Sequence, residues 1–227
     1  GSMKKSIAHI AFTAFFIGAI CFFGCGEKSK DRPADNIVWI KNQYATLFRV
    51  GYTTKDSFLE LLSDPQTQKS VGRFFWGRSE SVRGYQKITD RHRIVSLSAI
   101  HTGMLTELNA HVDLVGVESK KYIAHPLLSN NSLLKTLNEV APDGPIVPEK
   151  LALCNPGILF GSITSLDDKQ TIERLGKDKF AVLWCNNHLE NHPLGRAEWL
   201  IAMGWAMGKS SLAQATFNAV RTDYEKW

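Results

Sequence analysis

The chain has 227 residues, 44% of them hydrophobic and 22% charged, with 17 glycines and 8 prolines. That length and balance suit a globular core formed without disulfides or metal, and they exclude collagen, a disordered tail and a disulfide-rich miniprotein. Lys+Arg 27 against Asp+Glu 22 gives a net charge of +5, too mild for a nucleic-acid binder in a chain with no Lys/Arg run or basic–aromatic stripe.

Gly1-Ser2 ahead of Met3 reads as a tag scar. Lys4-Lys5, an apolar run from Ile7 to Phe23 and then Gly24-Cys25 form a secretion signal. The alternative, an uncleaved membrane helix, is at the short edge for spanning. The tetrad Phe22-Phe23-Gly24-Cys25 resembles the bacterial lipobox, with Phe22 in place of the usual Leu. That resemblance implies that Cys25 is lipidated and becomes the mature N-terminus; several acyl chains anchor firmly where one binds weakly. Residues 1–25 are therefore assigned to scar and signal. Residues 26–36, charged and poor in apolar side chains, are assigned to a flexible tether.

Residues 37–90 read as a strand-rich N-terminal decoration. Thr46–Tyr52 and Gly72–Trp76 are expected strands, and Ser57–Ser63 a short helix. From Arg93 strands and helices alternate. Arg93–Ser98, Asp113–Val117, Gly157–Ser162 and Phe180–Cys185 are short apolar runs of strand type. Between them His101–Asn109, Ser132–Leu137, Glu149–Leu153 and Asp167–Leu175 read as helical, the last ending at Gly176. Pro193 opens a longer helix, Gly208 interrupts it, and Ser210 or Ser211 is placed to cap the next. This pattern predicts the α/β class: a three-layer α/β/α lobe over 91–209 with a mainly parallel central sheet. It ends in a long connecting helix over 210–227. Cys154 and Cys185 fall at opposite ends of neighbouring parallel strands, beyond the ~7 Å reach of a disulfide, so both are expected as buried thiols. No CxxC or Cys/His zinc spacing is present.

In an open parallel sheet ligands sit outside the carboxyl ends of the strands. The residues following each strand are then the candidates: Ser98, His101 and Thr102; Ser119, Lys120 and Tyr122; Gly161, Ser162 and Thr164; Trp184, Asn187, His188 and Glu190. Aromatics supply area, hydroxyls orient, and Lys120 and Arg196 offer charge to carboxylates or phosphate. Such a set suits a large polar chelate with a flat or macrocyclic part. Blander roles compete: His101 as a helix-start cap, Trp184 as core, Arg196 as an ion-pair partner of Glu190 or Glu198. His188 and His192 stand at a zinc-compatible i, i+4 spacing, but Asn186-Asn187 before them and Pro193 after them place them in a loop. No metal, cofactor or catalytic residue is assigned. GxSxG, P-loop and GxGxxG motifs are all missing, so the chain is not read as an enzyme.

Three segments, in order and spacing, resemble the periplasmic substrate-binding proteins of iron-siderophore, haem and cobalamin ABC transporters. Arg93–Leu108 with Asp113–Val117 looks like that family's opening strand, helix and second strand. Val147–Phe160 looks like its glutamate–basic–leucine segment followed by proline and strand, with Gly157 where the family usually has Asp. Glu190–Trp199 (ENHPLGRAEW) resembles a signature of its Bacteroidetes branch. The resemblance covers roughly residues 90–227. It implies two lobes joined by a rigid helix, with Ser211–Trp227 as that helix and the second lobe missing from this chain.

By the same resemblance the protein is a monomeric, periplasmic, lipid-anchored binder. It captures an iron chelate, haem or a corrinoid and delivers it to an ABC permease, with no nucleic-acid partner. Tyr122 matches a position where an aromatic ring touches ligand. Glu149 matches the first-lobe glutamate that docks onto permease arginines, a bidentate and orientation-specific pairing. The set expected to contact ligand is Ser98, His101, Thr102, Tyr122, Ser162, Trp184, His188 and Arg196. The rival readings are a surface lipoprotein that serves as an interaction module and a metal-dependent hydrolase.

Overall fold

The computed structural model describes residues 36–130 and 132–226; the signal, Cys25 and the tether up to residue 35 lie outside them. The N-terminal third forms one sheet from β1 (Val38–Ile40), β2 (Phe48–Tyr52), β3 (Asp56–Leu62), β4 (Ser70–Gly77) and β5 (Gln86–Lys87), side by side in chain order. Pairings are antiparallel from β1 to β4, and β5 runs parallel to β4. The helix expected over Ser57–Ser63 is strand. β3 is paired along both edges and every residue in it but Ser57 is buried. A run buried on both faces shows no period-two alternation, so its apolar pattern does not distinguish strand from helix.

The second sheet carries the expected α/β alternation: β6 (Ile94–Ser96), α1 (Ala99–Glu107), β7 (Leu114–Val117), α2 (Pro126–Ser129), α3 (Ser132–Thr136), β8 (Asn138–Glu139), α4 (Pro148–Cys154), β9 (Ile158–Gly161), α5 (Leu166–Gly176) and β10 (Ala181–Trp184). Its order is β10-β9-β6-β7-β8 and all its pairings are parallel. Side chains alternate between its faces. Ile94, Ile158, Phe160 and Leu183 join a core shared with the first sheet. Val95, Leu159 and Trp184 point the other way, onto Leu151, Cys154 and Ile172 of α4 and α5.

Two further helices close the chain, α6 (Pro193–Ala206) and α7 (Ser210–Tyr224). α6 is apolar nearly all round and buried nearly all round, the pattern of a helix held between layers. It packs on β2 and β3, with Trp199 edge-on to Phe48 at 5.2 Å. It also shares the core of β9 and β10. One core thus joins the first sheet, α6 and one face of the parallel sheet, and a separate core joins the other face to α4 and α5. His192 caps α6, its Nδ1 accepting the Leu194 N–H at 3.0 Å, with Pro193 as the first helical residue. Neither Ser210 nor Ser211 caps α7. The chain folds back through Gly208 (φ +67°), the Lys209 N–H bonds the Gly204 carbonyl, and the helix resumes with Lys209 at its N-cap.

Two glycines mark close approaches. At Gly157 a Cβ would lie 2.6 Å from the Asp90 carbonyl oxygen, so no larger residue fits this strand entry. At Gly204 it would meet the Ala213 Cβ at 2.2 Å, which is how α6 and α7 come together. Cys154 and Cys185 are free, buried thiols. Among the described residues no helix is long and apolar enough to cross a membrane.

Candidate functional site

Every strand-to-helix connection of a parallel sheet emerges on the same side. Here those connections enclose a cleft of about 230 Å³. Ser98 follows β6, Glu118 follows β7, Ser162 and Thr164 follow β9, Trp184 ends β10, and Asp168 projects from α5. Of the expected residues the cleft gathers Ser98, Ser162 and Trp184, together with Thr164. Trp184 is a buried wall whose Nε1 donates to the Glu173 carboxylate at 3.0 Å. The Ser162 hydroxyl donates to the Cys185 carbonyl at 3.2 Å. Ser98 occupies the N-cap of α1 without capping it, so its hydroxyl is left for the cleft.

The other expected contacts lie elsewhere. His101 and Thr102 are buried beneath α1 instead of lining the cleft. His101 Nε2 sits 3.0 Å from Asn187 Oδ1, and Thr102 Oγ1 donates to Ser96 Oγ at 2.9 Å. Both side chains fix α1 to its neighbours. Burial holds the His101 imidazole below the ordinary histidine pKa, against the opposing hydrogen bond to Asn187. Tyr122 is exposed on a single 3-10 turn, Lys120–Tyr122, with the Lys121 ammonium 4.8 Å above its ring. His188 is exposed on the 3-10 turn Asn187–Leu189.

The two cations expected to meet ligand are turned to backbone. Arg196 Nε donates to the Glu190 carbonyl at 3.0 Å and Lys120 Nζ to the Lys135 carbonyl at 3.0 Å. Glu149 is exposed in the first turn of α4, whose start is tied by Val147 N–H to the Val140 carbonyl just beyond β8. It therefore stands at the cleft-bearing end of the sheet. The His188–His192 pair is split between two elements, with His192 stacked on Tyr44 at 4.9 Å. Among the described residues no three of His, Cys, Asp and Glu gather to hold a metal ion.

Sequence reasoning missed Glu118, the first residue past β7 and half-buried in the cleft wall. Burial raises its carboxyl pKa, and the Lys121 charge partly offsets this. The signal was its position: one residue earlier than Ser119, at the strand's own end. Also missed was the work of the two signature glutamates. Glu198 accepts the N–H groups of Gln43, Tyr44 and Ala45 at 2.6–2.7 Å. Glu190 accepts those of Thr46 and Leu47, the Thr46 hydroxyl and Trp199 Nε1 at 2.9–3.1 Å. A second cavity, of about 810 Å³, runs along the β10 edge from Phe180 to Trp184, walled on its other side by β4 and β5.

No family profile and no curated protein sequence matches the chain. Solved structures do. A periplasmic binding protein from Veillonella parvula superposes with a TM-score of 0.51 at 15% identity, over 73% of this chain and 51% of that one. A siderophore-binding protein solved with two molecules of acinetobactin and ferric iron gives 0.50 at 14% identity, over 61% and 48%. A periplasmic haem-binding protein from Pseudomonas aeruginosa gives 0.48 at 21%, over 60% and 45%. The chain spans about half the length of these solved structures. The likeness is one of fold: this chain is built as a lobe of the periplasmic binding proteins is built.

Proposed function

We propose that this chain is the first lobe, with α7 as connecting helix, of an extracytoplasmic solute-binding lipoprotein. It captures an iron chelate, haem or a corrinoid and passes it to an ABC importer. The observation that supports this most directly is the cleft at the carboxyl ends of β6, β7, β9 and β10, with serine and threonine hydroxyls around a tryptophan wall. The fold it shares with a ferric-siderophore binder supports the same ligand class. Cys25 carries the lipid, residues 26–36 give reach from the membrane, and Glu149 meets the permease.

Binding here needs no bond made or broken. Hydroxyls orient the ligand, buried Trp184 backs the cleft, and a partner lobe completes the enclosure. A volume of about 230 Å³ is below the ~300–1,000 Å³ of whole small-molecule sites. This lobe therefore holds only part of its ligand, and alone it binds weakly. The test is a tryptophan-fluorescence titration with ferric siderophores, haem and cobalamin, on the chain and on Ser98→Ala and Ser162→Ala. The expected result is saturable quenching by one class, weakened in both variants. Quenching by none of the three sinks the proposal.

A further inference from the structure

The polar lining of the cleft has a charge, and it is the opposite of the one that suits an anionic chelate. Its charged side chains are Glu118, Asp168 and Lys169. Lys169 is already committed, its Nζ 2.6 Å from the Glu173 carboxylate. Asp168 Oδ1 accepts the Ile146 N–H at 3.2 Å and leaves its second oxygen over. The Glu118 backbone bonds Ser96 and Ala141, but its carboxylate accepts no hydrogen bond among the described residues. Of the cations near these carboxyls, Lys121 partly offsets the burial of Glu118 and two others face away. Lys120 donates to the Lys135 carbonyl and Arg196 to the Glu190 carbonyl. Lys121, the nearest to Glu118, rests over the Tyr122 ring with its Nζ 3.4 Å from the Pro142 carbonyl.

We infer that this cleft selects its ligand by charge: it takes a neutral or cationic chelate presenting N–H, O–H or ammonium donors and turns away polyanionic ones. Donors on the ligand pair with Glu118 and Asp168, and the hydroxyls of Ser98 and Thr164 serve either role. An anionic arm would face two carboxylates across a half-buried cleft, where charges act at an effective dielectric well under that of water. The class indicated is the hydroxamate-type ferric chelate with amide or amine arms, in place of tris-catecholates or haem with its two carboxylates. The inference rests on the solute-binding reading and narrows it.

The experiment compares four probes by tryptophan quenching: ferrioxamine B (cationic), ferrichrome (neutral), ferric enterobactin (trianionic) and haem. Each is titrated into the wild-type chain, Glu118→Gln and Glu118→Lys, with circular dichroism melts confirming that each variant folds. The expected result is at least tenfold tighter binding of the first two probes. Glu118→Gln narrows that gap and Glu118→Lys closes or reverses it. Should Glu118→Lys fail to fold, Glu118→Gln alone decides, since it keeps shape and removes the charge. Equal or tighter binding of the anionic probes by the wild type, or a ranking that ignores Glu118, overturns charge selection and leaves solute binding standing. Binding of none of the four overturns charge selection among these chelates, and the solute-binding reading falls with it only when cobalamin also fails to bind.

Discussion

Glu190 and Glu198 divide five consecutive backbone N–H groups between them: Thr46 and Leu47 bond the first carboxylate, Gln43, Tyr44 and Ala45 the second. Both carboxylates are buried, at 1% exposure. Such a stretch of aligned amides is an anion-binding concavity, filled here by the protein's own side chains. It rivets the antiparallel sheet to α6. Glu198→Ala leaves three donors without their acceptor, each costing about 1–3 kcal/mol where water does not replace it. We expect a loss of about 3 kcal/mol or more in urea denaturation, and a smaller one for Glu198→Gln. Faster hydrogen exchange confined to residues 43–47 would accompany it. A stability unchanged in Glu198→Ala would show the rivet to be idle.

His101 gives the fold a pH dependence of known sign. Its folded-state pKa is depressed by burial, so the unfolded chain binds the proton at higher pH than the folded one. The stability tied to the neutral imidazole is fully present above the unfolded value of about 6.5. It is lost as pH falls from there toward the folded value. The melting temperature of the wild type should therefore drop more steeply between pH 7 and 5 than that of His101→Gln. Parallel curves for the two proteins would contradict this.

Glu149 is exposed on a helix start and supports no core contact. Glu149→Arg should leave the melting temperature within about 0.5 kcal/mol-equivalent of wild type. Under the proposed docking role it should weaken capture of the chain by an ABC permease at least tenfold, measured by surface-immobilised binding. Unchanged capture would remove Glu149 from the docking surface.

The thiols offer a check on burial. Cys185 is fully enclosed, and burial pushes its pKa far above the ordinary range; the Cys154 thiol is raised for the same reason. Since the thiolate is the reactive form, neither should label with a thiol-specific chromogen in native buffer at pH 8. Both should label in urea. Rapid native labelling of Cys185 would mean that the β10 end opens readily.

The parallel sheet was legible in the sequence because its strands are apolar runs closed by turn residues. Its helices begin at Pro148, Ser165-capped Leu166 and Pro193. Ser98, Ser162 and Trp184, chosen by the rule that residues at strand ends make sites, do line the cleft. The rule misled at His101 and Thr102, because the first turn of α1 rolls them inward where Asn187 and Ser96 wait. β3 was misread because an interior strand has no wet face to set a period. The task of Glu190 and Glu198 was invisible for another reason: their partners stand 143–155 residues away, and nothing local in a sequence marks such a pairing.

The position of α6 between two sheets also sets an order of events as the chain is made. The first sheet is complete by Lys87, yet the helix that covers Phe48, Leu59 and Leu61 begins only at Pro193. Until then the part of its apolar face under α6 has no cover, and the contacts that finally close it carry the large loop-closure cost of distant pairings. The N-terminal sheet is thus synthesised first and finished last. Chains released before residue 206 should be the aggregating species in a ribosome-release series, and those released after it the soluble ones.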